Sequence, residues 1–510
     1  MDIKILHQTF LSILFGACLL CFQVKAVEMK QAKPNIIFFL VDDMGWQETS
    51  VRFWKEKTML NIRYFTPNME SLAEKGMKFT QAYACPLCSP TRVSLMTGMN
   101  AARHQVTNWT LRKNKSPDNQ HKILEISDWN MNGLSPVPGI EKTVYSKTLP
   151  MFLRDAGYTT IHVGKAHWGA QGTPGQDPLN LGFDVNIAGH APGGPGSYYG
   201  KYNFSAEWRH EDRIWDVPGL EKYHGQDIYL TEALTIEATD QMEKAVAKGK
   251  PFYLYMSHYA IHAPWEKDER FYRKYKDRGL TDFEATLASM IEGMDKSLGE
   301  LLGKIKQLGI EENTIVIFLS DNGSPSQCPR NLPLRGHKIT PYEGGIRVPM
   351  LVKWPGVTKE GTVCSEPLII EDFFPTILEM AGVKKYSQIG EIIDGKSFTP
   401  LLRVKKVNAA KREFFWHFPH FYDQEPYSVM RKGDWKLIYW YKESKLELYN
   451  IHDDISEASN LAASNPKKIR EMAAALGKYL REVNAGRPFF KETGNPCLWP
   501  DQSPQIINKL

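Results

Sequence analysis

A chain of 510 residues with 42% hydrophobic and 12% aromatic content carries enough apolar side chain for a large buried core, which excludes a disordered or fibrous protein. Its 63 basic and 58 acidic residues are interspersed and leave a formal net charge of +5. No basic tract interleaved with aromatics appears, so the balance suits an anionic small substrate and offers no nucleic-acid surface.

Lys4 precedes an uncharged apolar stretch from Thr9 to Phe22, and Val24-Lys25-Ala26 suits a small-residue cleavage site, so residues 1–26 read as a secretory signal peptide. The apolar run is shorter than the roughly 20 residues a spanning helix needs, and no transmembrane segment is expected once the signal is removed. Cys18 after Gly16-Ala17 keeps a lipoprotein anchor as the alternative, although Phe15 sits where a leucine would be usual. The protein is therefore expected to be exported, periplasmic or secreted. Cys18 and Cys21 would leave with the signal, and the pairing of Cys85, Cys88, Cys328, Cys364 and Cys497 stays open. Cys85-x-x-Cys88 has no second such pair, which argues against zinc.

The apolar run Ile36–Val41 closes on Asp42-Asp43-Met44-Gly45, as a parallel strand delivering ligands at its C-terminal end would. A short helix through Glu74 and a strand over Gly76–Thr80 lead to Cys88–Gly98, Cys-Ser-Pro-Thr-Arg-Val-Ser-Leu-Met-Thr-Gly. This stretch reads as a helix start with Ser89 as N-cap, Pro90 at the first helical position and Val93, Leu95 and Met96 on the buried face. Residue 88 would then face the positive helix end with Arg92 one turn on, a setting that stabilises an anion. On residue type alone, a buried structural cysteine competes with that reading. From Asn100 to about Pro138 the chain is polar and aperiodic, and reads as a surface insertion.

Leu149–Ala156 reads as a helix, and Gly157–Lys165 as a turn and a strand ending on a lysine, followed by Ala166-His167. Residues 172–200 are dense in glycine and proline around His190, and such long loops are functional or disordered. A helix over Thr231–Val246 and a strand over Pro251–Met256 lead to His258 and to His262-Ala263-Pro264-Trp265. A helix over Asp282–Leu308 precedes the strand Thr314–Leu319, which delivers Ser320-Asp321-Asn322-Gly323. The alternation predicts an α/β fold, a large mostly parallel sheet with helices on both faces. Gly336-His337-Lys338, a strand over Met350–Val352 and a helix over Phe373–Ala381 follow. Near residue 405 the character changes to alternating aromatic segments and a final helix over Asn465–Asn484. Residues 27–405 are thus expected to form a catalytic domain, and 406–510 a smaller α+β domain with an antiparallel sheet.

Asp42, Asp43, Asp321 and Asn322, at two strand ends, make a hard-oxygen set suited to Ca²⁺ or Mg²⁺. A thiolate is a poor partner for such an ion, a physical reason to expect that residue 88 does not stay cysteine. Lys165 and Lys338 supply cations for an anionic ester, and His167 and His262 are candidates for proton transfer. Arg103, His104 and His190, with Trp416, His417 and His420, read as the walls of a polar, aromatic substrate pocket.

Cys88-x-Pro90-x-Arg92 followed by Thr97-Gly98 resembles the signature of the formylglycine-dependent sulfatases of the alkaline phosphatase superfamily. The resemblance runs from Asn35 to the tail Leu448-Tyr449-Asn450, through Gly164-Lys165-x-His167, His262-x-Pro264 and Leu334-Arg335-x-x-Lys338. It implies that a formylglycine-generating maturation enzyme oxidises Cys88 to an aldehyde and that Arg92 holds the modified side chain. It also implies that Asp42, Asp43, residue 88, Asp321 and Asn322 ligate Ca²⁺. The hydrated aldehyde would attack the sulfur of a sulfated saccharide while Lys165 and Lys338 spread the developing charge. His262 would protonate the leaving alcohol, with His167 near the hydroxyl that must lose its proton. Thr91 stands where serine is commoner and His337 where glycine is commoner, which leaves maturation and the shape of the lysine loop open. A phosphate or phosphonate ester hydrolase, or an inactive glycan-binding homologue, are the alternatives.

Overall fold

Side-chain alternation along the central strands divides the core in two. The computed structural model describes residues 33–327, 330–383, 390–405 and 411–507. The expected signal peptide and Cys328 lie outside the described residues. In β1 (Asn35–Val41), Ile36, Phe38 and Leu40 enter one apolar core while Ile37, Phe39 and Val41 enter another. Both faces of the strand are therefore buried, which is why it reads as an unbroken apolar run.

The large sheet also contains β2 (Met77–Tyr83), β3 (Thr159–Gly164), β4 (Val185–Ile187), β5 (Phe252–Ser257), β6 (Thr314–Ser320), β7 (Arg347–Lys353), β8 (Thr362–Cys364) and β9 (Leu368–Ile369). Its order is β8-β2-β7-β6-β1-β5-β3-β4, with β9 also on β2. Only β7 runs against its neighbours. Helices α1 (Pro67–Glu74), α4 (Leu230–Ala247) and α5 (Asp282–Gln307) feed the core of Ile37 and Phe39, and α2 (Cys88–Thr97), α3 (Leu149–Asp155) and α6 (Phe373–Met380) feed that of Phe38. The long α5 starts on a capping box in which Thr281 Oγ1 accepts the Glu284 N–H and Glu284 accepts the Thr281 N–H.

A second sheet of β10 (Glu413–Phe418), β11 (Tyr427–Lys432), β12 (Trp435–Trp440) and β13 (Lys445–Asn450) is an antiparallel meander. One face packs on α7 (Pro466–Glu482) through Met430, Leu437 and Leu448, while Trp416, Phe418, Val429 and Ile438 join the core of Phe38. A buried ionic cluster links the two sheets: Lys436 Nζ lies 3.0 Å from Glu343 and 2.8 Å from Glu457.

Two expectations are corrected. Helix α2 begins at Cys88, with Leu87 at the N-cap position and no side-chain cap, so Ser89 lies inside the helix. Gly98 ends it in the left-handed conformation, φ 71°, with its N–H on Ser94 O. The segment 100–138 is not a surface insertion, because Ala102, His104, Val106, Thr110, Leu124 and Leu134 are all buried. Side-chain amides replace apolar periodicity there: Asn132 donates to Asn114 and to the Glu141 carbonyl, and Asn130 to the His104 carbonyl.

Candidate active site

Four adjacent parallel strands, β6-β1-β5-β3, end at one place, the usual position of a site in an open α/β sheet. Asp42 and Asp43 follow β1, Asp321 and Asn322 follow β6, the loop to His262 follows β5, and Lys165 and His167 follow β3. Backbone bonds lock these ends together. The Asp42 N–H donates to Ala260 O at 2.9 Å, the Ile261 N–H to Asp42 O at 2.7 Å, and the Asp321 N–H to Val41 O at 3.0 Å.

Carboxylate oxygens of Asp42, Asp43 and Asp321 lie within 4.8 Å of one another, and all three residues are buried. Three cations oppose them. Lys165 Nζ is 2.5 Å from Asp42, Lys338 Nζ is 2.6 Å from Asp43, and Arg92 places two N–H groups on Asp321 Oδ2 at 3.0 and 2.7 Å. Burial and the neighbouring Asp321 push the Asp42 carboxyl well above its ordinary range, against Lys165. Burial acts the same way on Asp43, but Lys338, His262 and Lys165 outweigh it and hold that carboxyl low. Asn322 Nδ2 donates to Asp43 at 2.7 Å, while Asn322 Oδ1 and Asp42 Oδ1 are buried with no hydrogen-bond partner among the described residues. Two orphaned oxygen acceptors beside clustered carboxylates fit a hard divalent cation.

Cys88 sits at the start of α2, 2% exposed, and burial raises its thiol despite Lys165 and Lys338. The expected anion-stabilising helix end is therefore outweighed for a thiol. Arg92 donates to Asp321, to Lys165 O at 3.1 Å and to Ser257 Oγ at 2.7 Å. Four of the guanidinium's five N–H groups are thereby used. Thr91, the departure from serine, gives its hydroxyl to Asp321 O at 2.7 Å and accepts the Cys85 N–H at 3.0 Å, tying α2 to the ligand strand. Cys85, Cys88, Cys364 and Cys497 form no disulfide among the described residues.

Each histidine's tautomer follows from a carbonyl partner. His167 donates Nε2–H to Thr110 O at 2.8 Å, so Nδ1 carries the lone pair and has no partner among the described residues. Ser89 Oγ accepts the Thr110 N–H at 3.2 Å, and that is its use in place of a cap. Burial, then Lys165 and Arg92, keep His167 well below its ordinary range and neutral. His262 donates Nδ1–H to Ala263 O at 2.8 Å and turns Nε2 toward Asp43 at 3.9 Å. Burial and Lys338 lower it to about 3 against the pull of Asp43. The glycine-rich loop crosses both rings: a Cβ on Gly193 would stand 2.3 Å from His167, and one on Gly194 2.9 Å from His262. Lys338 is fixed by its N–H on Ser324 O at 2.9 Å and by the Ile339 N–H on Pro86 O at 2.8 Å. His337, where glycine is commoner, has no left-handed φ and bonds Lys338 O at 2.9 Å, so the lysine loop needs no glycine at this position.

Asp43, Cys88, His167, His262 and Lys338 share a cleft of about 230 Å³ with Trp109, Trp215, Trp265 and Tyr422. The substrate residues expected from sequence do not line it. Arg103 grips Asp394 at 2.7–3.0 Å, and His104 is buried between Ser94 Oγ and the Val106 N–H, both at 3.0 Å. His190 meets Tyr259 Oη at 3.0 Å, His417 meets Ser428 Oγ at 2.8 Å and Gly486 O at 2.7 Å, and His420 meets Thr107 Oγ1 at 2.7 Å and Asp118 at 3.1 Å. Trp416 donates to Ala84 O at 2.9 Å. All of these brace the structure. Of the four aromatic wall residues, only Trp265 stood beside a recognised motif; Trp109 and Trp215 are single aromatics in polar loops.

Clustered buried carboxylates, two lysines and two histidines around one helix start, at the strand ends of an α/β sheet, make a site suited to hydrolysis of an anionic ester. The chain matches the Sulfatase family over residues 34–383 and "N-sulphoglucosamine sulphohydrolase, C-terminal" over residues 337–486. A sulfatase of Formosa agariphila is 31% identical, with 92% of each chain covered. N-acetylgalactosamine-6-sulfatase of Mus musculus is 30% identical, covering 84% of this chain and 76% of its own. Ps i-CgsB, solved in complex with k-i-k-neocarrahexaose, superposes with a TM-score of 0.70 at 26% identity, covering 88% of this chain and 93% of that one. The chain belongs to the sulfatase family and is a sulfuric ester hydrolase.

Proposed function

We propose that this enzyme is exported and removes sulfate from a sulfated carbohydrate, with residue 88 matured to formylglycine and Ca²⁺ held by Asp42, Asp43, Asp321 and Asn322 together with residue 88. The orphaned acceptors Asp42 Oδ1 and Asn322 Oδ1 carry the reading, since they call for a hard cation and such a cation calls for oxygen at position 88. When present, the aldehyde hydrate supplies an oxygen nucleophile for sulfur, and the cation polarises the sulfate oxygens.

Lys338, which lines the cleft, and Lys165, paired with Asp42 beside it, would spread the charge that develops on the sulfate. Burial first and then Lys338 keep His262 neutral, and an anionic ester on Lys338 offsets the second of these, so the substrate itself favours the proton needed on Nε2 for the leaving oxygen. His167 keeps Nδ1 free to accept the proton of the residue 88 hydroxyl as sulfate departs, because Nε2–H is held by Thr110. With Cys88 2% exposed, the maturation enzyme must reach it before α2 packs. The saccharide assignment is supported by the N-acetylgalactosamine-6-sulfatase relative and by the carbohydrate-bound Ps i-CgsB. Sulfate release measured across defined sulfated saccharides, with phosphate and phosphonate esters alongside, tests it. Faster turnover of the phosphorus esters, or of aryl sulfates with no saccharide cleaved, would overturn it.

A further inference from the structure

The sulfate end of the cleft is cationic, but its walls are not. Among the described residues lining it, Lys338 is the only lysine or arginine, and the walls are Trp109, Trp215, Trp265, Tyr422, Ile339 and the uncharged Gln327. Three of the aromatics have a packing reason to be there. Trp109 and Tyr422 back onto the core of Phe38, and Trp265 onto the core of Phe39. Trp215 belongs to none of the three apolar cores, yet it is half-buried in a turn whose backbone is held in place. It ends a short 3₁₀ turn, Arg213–Trp215, in which Asp212 accepts the Ile214 N–H at 2.9 Å. Arg213 donates to Asp216 at 2.9 Å, and Asp216 fixes the Ala206 N–H at 2.8 Å. Two basic side chains of this corner are paired at the surface: Arg213 with Asp216, and Arg112 with Asp212.

Resting on the carbohydrate sulfatase reading, we infer that the ring bearing the scissile sulfate is a neutral sugar with no other anionic group, stacked on Trp215 and its aromatic neighbours. Aromatic faces are electron-rich and suit the C–H face of a sugar, and they offer nothing to a second sulfate or a uronate carboxylate. Such an anion would lose water in a cleft where Lys338, the one lysine among the described lining residues, already serves Asp43 and the departing sulfate. The cleft lies below the roughly 300–1,000 Å³ of a drug-sized site, which favours one ring at the reacting position.

The test compares matched saccharides, a monosulfated neutral hexose or N-acetylhexosamine against the same ring carrying a second sulfate and against a monosulfated uronate. The neutral ring should be hydrolysed with the higher kcat/KM. Trp215→Ala should raise KM for it about tenfold with kcat little changed, Trp215→Phe should recover most of the loss, and inhibition by inorganic sulfate should not move. Trp215→Arg should shift the preference toward the charged rings. Preference of the native enzyme for a charged ring, or a Trp215→Ala variant with unchanged KM, would overturn the inference and leave the sulfatase reading intact. Hydrolysis of aryl sulfates with no saccharide cleaved would overturn both.

Discussion

Replacing Asp42 with asparagine separates the electrostatic cost of the carboxylate cluster from its use. Two unit charges at the 4.8 Å outer limit of the cluster repel by roughly 3.5 kcal/mol at an effective dielectric constant of 20, so two such neighbours put at least about 7 kcal/mol of repulsion on an ionised Asp42. The same substitution removes its attraction to Lys165 at 2.5 Å, about 6–7 kcal/mol on the same scale. The two nearly cancel, consistent with a carboxyl that burial and Asp321 already make hard to ionise. In chelator, Asp42→Asn should therefore unfold within about 2 kcal/mol of the native protein. Calcium should stabilise the native protein by about 2.7 kcal/mol at a hundred times its dissociation constant, and the variant far less at the same concentration. Thermal unfolding of both proteins in chelator and in excess calcium measures each quantity. A variant much less stable than the native protein in chelator, or one still fully stabilised by calcium, would refute the reasoning.

His262→Ala should cost about 10²–10⁴-fold on a sulfated sugar, whose alkoxide leaves only with a proton, and far less on an activated aryl sulfate; His167→Ala should slow both. Equal losses on both substrates for His262→Ala would assign that residue to sulfate binding. Burial and Asp372 raise Glu371 to about 8, and its Oε2 has no partner among the described residues. The folded state therefore holds a proton that the unfolded state releases near pH 4.5, and this contribution to stability is full below that pH and is lost as pH rises through about 8. Glu371→Gln should flatten that decline in pH-dependent melts, and an unchanged slope would exclude the residue as its source.

The strand ends were legible because a strand buried on both faces leaves an unbroken apolar run, and a run closing on Asp42-Asp43 or Asp321-Asn322 marks where such a strand ends and presents oxygen-bearing side chains. Helix limits were also close: Asp282–Leu308 was expected and Asp282–Gln307 is observed. The use of Ser89 was not legible, since its partner Thr110 lies in a segment with no periodicity to announce its burial. Residue type misled at His104, His417 and His420, where buried imidazoles satisfy hydroxyls and carbonyls and never meet the cleft. Arg92 was expected to hold the residue 88 side chain, and its guanidinium bonds Asp321 and two neighbouring oxygens, partners that only three-dimensional packing reveals.

The proposed hydrolysis rests on an oxygen nucleophile at residue 88. Mass spectrometry of the peptide spanning Cys88, on protein from a host with the maturation machinery and on fractions of known specific activity, measures it most directly. An aldehyde should stand in place of the thiol, in proportion to activity across fractions, because burial makes the thiol hard to ionise and the carboxylate cluster calls for an oxygen ligand. Fully active protein with an unmodified cysteine at residue 88 would contradict it.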